Sequence, residues 1–391
     1  MLAQWRADTP GAAHRIHLNN AGAALVPSPV QATIVAHLER ELDLGGYEAA
    51  DAAAEAIAQS YADVGALVGT AARNIAVVAS ATHAFALALS AFDFAPGDVI
   101  LTSTDDYVSN QLMYLSLQAR RGVRLVRCPD APEGGVDLEA WTRLLETERP
   151  RLAALTWIPT NSGLVQPAAE VGARCHAAGV PYLLDACQAV GQLPVDLAAL
   201  RCDYLSTTAR KFLRGPRGIG FLAVSDAALA RGDHPLLVDM RGARWTGPDA
   251  YALVDDARRF EAWEFPYALV LGLGAAARYA HDVGIDVAAA RAHALGARVR
   301  ARFGAIPGVR VLDHGAQLSA IATFTVAGQV ARELVLRLRP LGVNTSAQTV
   351  GDAVIDLARK RADTLLRVSP HYYNTEDEIE RAAAALESLL R

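Results

Sequence analysis

The chain has 391 residues, 52% of them hydrophobic and 20% charged, with a formal net charge of −5. That length is enough for two domains with buried cores, and the composition excludes a disordered chain. The weakly acidic balance and the lack of any long basic run argue against nucleic acid or an anionic membrane as partner. Met1–Asp8 lacks a hydrophobic signal core and no uncharged apolar stretch approaches ~18 residues, so the expectation is a cytoplasmic protein that spans no membrane.

Along the chain, the Ala-rich segment Ala49–Ala58 reads as a surface helix. Seven short, nearly continuous apolar runs follow: Ile75–Ala79, Val99–Ser103, Val123–Arg127, Leu152–Ile158, Tyr182–Asp185, Tyr204–Thr207 and Ile219–Val224. Such runs suit strands covered on both faces. Helical patterns at His83–Phe92, Leu138–Glu146 and Ala168–Ala178 lie between them, which predicts an α/β fold with a mostly parallel sheet. After about Pro266 a long Ala/Arg helical stretch, Leu269–Phe303, leads to strands at Val309–Leu312 and Ile321–Val326. A helix at Val330–Leu338 and a strand at Leu365–Ser369 come next. The last helix should start at Thr375, because Glu378 stands at capping-box spacing. The expected division is an N-terminal arm and large domain over 1–265 and a smaller α/β domain over 266–391.

Several residues could carry chemistry. Ser80-Ala81-Thr82-His83-Ala84 opens a helix directly after a strand, where free N–H groups and the helix dipole suit a phosphate; Thr82 is also an ordinary N-cap residue. Tyr107, in Thr104–Asn110, could stack on an aromatic ring or simply pack. Asp185 ends a buried strand, at the edge where ligands of parallel sheets bind. It could pair with a pyridine nitrogen or cap the following helix. The four cysteines, Cys128, Cys175, Cys187 and Cys202, have neither CxxC nor zinc spacing and read as free thiols in a reducing compartment. No metal site is expected, and Cys187 reads as core filler.

Of the 37 basic residues only Lys211 and Lys360 are lysines. Lys211 lies in a small-residue loop between Arg210 and Arg214. Neighbouring cations and a dry site lower a lysine pKa from its usual ~10.4 and make the amine a nucleophile, which suggests a Schiff-base lysine holding pyridoxal phosphate. Lys360, between Arg359 and Arg361, reads as an exposed charge. Arg367, in an apolar strand, needs an anion, either a bidentate carboxylate or a salt bridge between domains. Gly272-Leu273-Gly274 mimics a dinucleotide fingerprint, but it sits inside a helical pattern.

Taken in order from His17–Gly22 to Arg367, these motifs resemble the class V aminotransferase, or cysteine-desulfurase-like, family of fold-type I pyridoxal phosphate enzymes. The resemblance implies a large domain with a seven-stranded, mostly parallel sheet and pyridoxal 5'-phosphate bound through Lys211. It places Ala81, Thr82, His83, Thr208 and Arg210 at the phosphate, Tyr107 over the ring, Asp185 on the pyridine nitrogen and Gln188 on the phenolic oxygen. Thr160 stands where the family has an asparagine, with Asn161 beside it. Asn20, Ala21 and Arg367 fall at the substrate, Arg367 matching the arginine that holds its carboxylate. The family's partner-subunit phosphate ligand has no counterpart in Phe260–Glu264.

Cysteine desulfurases carry a persulfide-forming cysteine before that arginine, whereas here no cysteine follows Cys202 and Asn344–Asp356 offers Thr345, Ser346 and Thr349. Desulfurase chemistry is therefore disfavoured. The branch with similar phrases at Gly45–Tyr47, Arg210–Gly218 and Arg367–His371 contains isopenicillin-N-epimerase-like proteins and the C–S lyase of ergothioneine biosynthesis. It implies a homodimer and, foremost, β-elimination at an S-substituted cysteine or its sulfoxide; transamination and epimerisation need the same apparatus. Arg241 and Arg244 are candidates for the distal end of a substrate, or surface charges. A non-catalytic homologue is the reading of a different class, disfavoured because Lys211, Asp185 and Arg367 are all present.

Overall fold

The computed structural model describes residues 1–391. Its strands are β1 (Ile16–His17), β2 (Ile75–Val78), β3 (Val99–Ser103), β4 (Arg124–Cys128), β5 (Leu152–Thr156), β6 (Tyr182–Asp185), β7 (Tyr204–Thr208), β8 (Gly220–Val224), β9 (Ala243–Gly247), β10 (Ala250–Leu253), β11 (Val309–Val311), β12 (Ala322–Val326), β13 (Val343–Asn344), β14 (Ser346–Thr349) and β15 (Thr364–Val368). Seven form one sheet in the order β2-β8-β7-β6-β5-β3-β4, in which only β8 runs against its neighbours. All seven predicted runs are strands of this sheet, shifted by a residue or two at their ends.

The sheet is buried on both faces because its side chains alternate between two apolar cores. Ala76, Val78, Ile100, Ala154, Leu183 and Leu222 enter one. Val77, Leu101, Ala153, Leu155, Leu184 and Phe221 enter the other. The parallel register sets Thr156, Asp185 and Ser206 side by side at the C-terminal strand ends, so three polar groups meet where the apolar runs stop.

The stretch expected as one helix over 269–303 is two, Tyr267–Val283 and Ile285–Gly304, separated at Gly284 (φ 84°). The first packs on helices Ser28–Leu44 and Ala54–Leu67. A Cβ on Gly274 would stand 2.3 Å from the Ser60 Oγ, and one on Gly272 2.6 Å from Ile34. Close helix approach explains these glycines, and no nucleotide loop exists there. The expected surface helix at 49–58 is also two, Gly46–Ala52 and Ala54–Leu67, and Ala49, Ala50 and Ala53 are buried.

A four-stranded antiparallel sheet, β11-β12-β15-β14, packs under helices Ile285–Gly304, Ala331–Leu338 and Glu376–Leu390. The last of these starts with the expected Thr375–Glu378 capping box. β1 pairs with β13 in a separate two-stranded sheet, and Asn19 bridges Ser369 just after β15, so the N-terminal arm is fastened to the C-terminal part of the chain before it enters the first sheet. No helix is long and apolar enough to cross a membrane.

Candidate active site

Lys211 follows β7 in a turn that β8 closes from the other side. The turn is tightly seated: Gly191 (φ 93°) lies against it, and a Cβ there would stand 2.3 Å from the Phe212 carbonyl. Lys211 is buried, and its Nζ lies 5.7 Å from the centre of the Tyr107 ring. It also stands beside the Cys187 thiol and near the Asp185 carboxylate.

Asp185 is buried at the end of β6, where it accepts from the Cys187 N–H at 2.9 Å and from Asn110 Nδ2 at 3.0 Å. Burial pushes its carboxyl above the usual range, and the Lys211 ammonium and these donors oppose that rise. Asn110 is shared with Asp106, which also accepts from Thr156 Oγ1 at 2.5 Å and the Tyr107 N–H at 2.7 Å. Asp106 thus fixes both the backbone that presents Tyr107 and the amide that orients Asp185. Nothing in the sequence pattern marks Asp106 or Asn110, because their role depends on strands far apart in the chain.

Thr160 joins the two halves of the site. Its hydroxyl accepts from Gln188 Nε2 at 3.0 Å and from Arg367 Nη1, and Arg367 also donates to the Thr160 carbonyl at 3.2 Å. Gln188 donates in addition to the Ala21 carbonyl at 3.1 Å, and Arg367 Nη2 to Asn19 Oδ1 at 3.4 Å. Arg210 donates to the Gly22 carbonyl. Arg367, Gln188 and Arg210 therefore converge on the turn that contains Asn20 and Ala21. Arg367 has no carboxylate partner in the chain and keeps a buried Nε without a bond. Burial, reinforced by the Arg210 guanidinium, lowers its pKa to about 10, and the group stays charged. A buried cation of this kind calls for an incoming anion.

The helix Ala81–Ser90 begins at Ser80, which accepts from the His83 N–H at 3.1 Å. The first-turn N–H groups of Ala81 and Thr82 remain for an anion. Ala81 is buried, and Thr82 and His83 are exposed. Thr208, at the end of β7, uses its hydroxyl on the Ile219 carbonyl at 3.3 Å.

Two sequence readings are corrected. Lys360 is not an exposed charge: its Nζ bonds Asp356 Oδ2 at 2.6 Å and the Asn161 carbonyl at 3.2 Å, and its side chain is 14% exposed. Asn161 in turn donates to Asp105 at 2.8 Å and to Asp356 at 2.6 Å. Cys187 is more than core filler, since its partly exposed side chain borders Lys211; burial nevertheless raises its thiol pKa and works against a thiolate. Arg241 is taken up by a buried ion pair with Glu261 at 2.6 Å and covers the Phe265 ring, whereas Arg244 is exposed.

Residues 16–382 match the family described as Aminotransferase class-V. The chain belongs to that family. A probable cysteine desulfurase from Methanothermobacter thermautotrophicus is 26% identical, the alignment covering 98% of this chain and 97% of the relative. A probable hercynylcysteine sulfoxide lyase from Mycobacterium tuberculosis is 28% identical over 98% of this chain and 92% of its own length. Among solved structures, the apo cysteine desulfurase from Thermococcus onnurineus superposes with a TM-score of 0.90 at 22% identity, covering 99% of this chain and 97% of that one. The cystine C–S lyase C-DES superposes at 0.85 and 22%, covering 97% of this chain and 99% of its own. These superpositions establish the fold.

The residues of this class V enzyme fit pyridoxal 5'-phosphate. A buried acid stands at a strand end, an aromatic ring faces the only lysine in the cleft, and a helix N-terminus offers unpaired N–H groups. Gln188 Oε1, three residues after Asp185, and Ser206 Oγ, in register with Asp185 on the next strand, are buried polar atoms with no partner in the chain.

Proposed function

We propose that this class V enzyme breaks the Cβ–S bond of an S-substituted L-cysteine or its sulfoxide. The observation that carries the reading is chemical: the segment Asn344–Asp356 presents Thr345, Ser346 and Thr349 and no thiol, so it supplies no nucleophile to take sulfur from a substrate. The remaining apparatus serves deprotonation at Cα, and a sulfur leaving group at Cβ then departs with its bonding pair. The similarity to a hercynylcysteine sulfoxide lyase supports a substrate of this kind.

In this proposal Lys211 carries the cofactor at rest, and pyridoxal phosphate supplies the electron sink for the pair left at Cα. Asp185, oriented by Asn110 and the Cys187 N–H, would pair with the pyridine nitrogen and share its proton. The helix start at Ala81–His83, with Thr208 and Arg210, holds the phosphate. Tyr107 covers the ring. Arg367 grips the substrate carboxylate through the donors that Thr160 and Asn19 leave free, and the Asn20–Ala21 turn walls the same pocket. The Lys211 amine takes the Cα proton as general base. Protonation and hydrolysis of the three-carbon fragment give pyruvate and ammonia beside the thiol or sulfenic acid.

We infer a homodimer from exposed apolar side chains on the large domain. Leu236, Leu237, Met240, Trp245 and Tyr251 are each more than half exposed, and Trp245 reaches 82%. Large apolar side chains this exposed, close together in sequence, suit a surface covered by a partner. The test of the reaction is pyruvate release from S-methyl-L-cysteine and its sulfoxide by the cofactor-loaded protein. Release that Lys211→Ala abolishes supports elimination; amino-group transfer to a keto acid without pyruvate makes the enzyme an aminotransferase.

A further inference from the structure

Three residues beyond Lys211 the chain buries a second cation. Arg214 is 1% exposed, adopts a left-handed backbone (φ 62°) and has no carboxylate in contact. Its guanidinium lies 4.4 Å from the centre of the Tyr373 ring, 5.2 Å from that of Tyr372 and 5.7 Å from that of Tyr279. Each of its three nitrogens donates to a different part of the chain. Nη1 donates to the Tyr372 hydroxyl at 2.6 Å, Nη2 to Thr9 Oγ1 at 2.5 Å, and Nε to the Leu25 carbonyl at 3.0 Å. An unpaired buried guanidinium in a strained backbone is costly. Aromatic faces offset part of that cost, and the strain points to a role.

The contacts continue toward the cleft. The Tyr373 hydroxyl donates to Asn20 Oδ1 at 2.6 Å. Asn20 Nδ2 donates to the Ser369 carbonyl at 2.8 Å, and Ser369 Oγ accepts from the Ala21 N–H at 3.0 Å. Ser369 is two residues from Arg367. On the other side the Arg214 N–H bonds the Lys211 carbonyl at 2.9 Å, and His371 Nε2 bonds the Phe212 carbonyl at 2.8 Å. Burial holds the His371 ring neutral, so Nε2 is the donor. The lysine turn, the N-terminal arm and the segment after β15 are thus joined through one guanidinium.

We propose that Arg214 is a positioning residue that holds the carboxylate-binding arginine, Arg367, in register with Lys211. The proposal rests on the roles given above to those two residues and adds the element that sets their spacing. A planar fork with three differently placed acceptors fixes an orientation that a lysine ammonium does not.

The test compares binding of glycine and glycinamide to the cofactor-loaded enzyme, followed by the change in cofactor absorbance. Both present an amine, and only glycine presents a carboxylate. Arg214→Met is expected to weaken glycine on the order of a hundredfold, the effect of losing well-placed hydrogen bonds to a charged carboxylate, and to leave glycinamide within about twofold. Arg214→Lys should recover little of the loss. Tyr373→Phe removes one hydroxyl without changing the packing and keeps the test alive if Arg214→Met does not fold. It should weaken glycine about tenfold, the effect of one lost bond between buried groups. Equal losses for both ligands, or none, with only a lower melting temperature, would reduce Arg214 to a structural residue and overturn the proposal. Arg367→Lys tests the underlying assignment separately: an undiminished preference for glycine over glycinamide in that variant would remove Arg367 from carboxylate binding whatever Arg214 does.

Discussion

Gly191→Ala is the sharpest steric perturbation of the lysine turn. The glycine has φ 93°, where an L side chain costs ~1–2 kcal/mol. Its new Cβ would stand 2.3 Å from both the carbonyl carbon and oxygen of Phe212 and 2.4 Å from the Leu213 nitrogen. Carbon contacts settle near ~3.5–4.0 Å, so backbone must move by ~1 Å. Forced insertion into a packed interior adds ~1–3 kcal/mol, for a total of ~2–5 kcal/mol. Gly179→Ala is the control: φ is 67° and no atom lies within 4 Å, so only the backbone term of ~1–2 kcal/mol applies. Urea unfolding of the two variants should separate them by ~1–3 kcal/mol. Because Phe212 adjoins Lys211, the first should also lose ~100-fold in kcat while the second keeps it. Equal stabilities and an unimpaired kcat in Gly191→Ala would show that the turn yields freely, and the argument for a rigidly placed lysine would fail.

The Asp105 carboxyl is pushed up to about 8, first by burial and then by the Asp356 charge, against the pull of Lys360 and the Asn161 amide; Asp130, bridged to Arg359 nearby, adds to the rise. The folded state therefore holds a proton that the unfolded chain releases near ~3.9, and stability must fall as pH rises from about 4 to 8; Asp105→Asn should flatten that part of the melting-temperature profile. Thr160→Val removes the acceptor shared by Gln188 and Arg367 and leaves buried donors unpaired at ~1–3 kcal/mol. The main effect should be a KM raised about 10-fold or more, with a smaller change in kcat. Glu261→Ala strands Arg241 and deprives the Tyr61 hydroxyl and the Val77 N–H of their acceptor. Breaking such a buried pair costs ~3–5 kcal/mol, to be read from the urea midpoint.

The large sheet was legible because a strand buried on both faces has to be apolar throughout, and all seven runs are. Local placements were legible too: Asp185 at the end of a buried strand and Thr375 in its capping box. Helices Ser28–Leu44 and Val108–Arg121 went unread, since both mix exposed apolar residues with charges and blur the helical period. Leu38, Leu42, Leu112 and Leu115 face outward. The break at Gly284 was hidden by strong helical propensity on either side. Asp106 and Asn110 were invisible because their partners, Thr156 and Asp185, come from other strands. Lys360 was misread for the same reason: two neighbouring arginines suggested solvent, while Asp356 and Asn161 bring it inward.

The central claim is that Lys211 carries the cofactor, and the chain offers a nearly closed choice, having only two lysines. Reduction of the cofactor-loaded enzyme with borohydride, followed by proteolysis and mass spectrometry, identifies the amine that was linked. The account predicts the pyridoxyl group on Lys211 alone, lost in Lys211→Ala. The same group on Lys360, or on neither lysine, would contradict it.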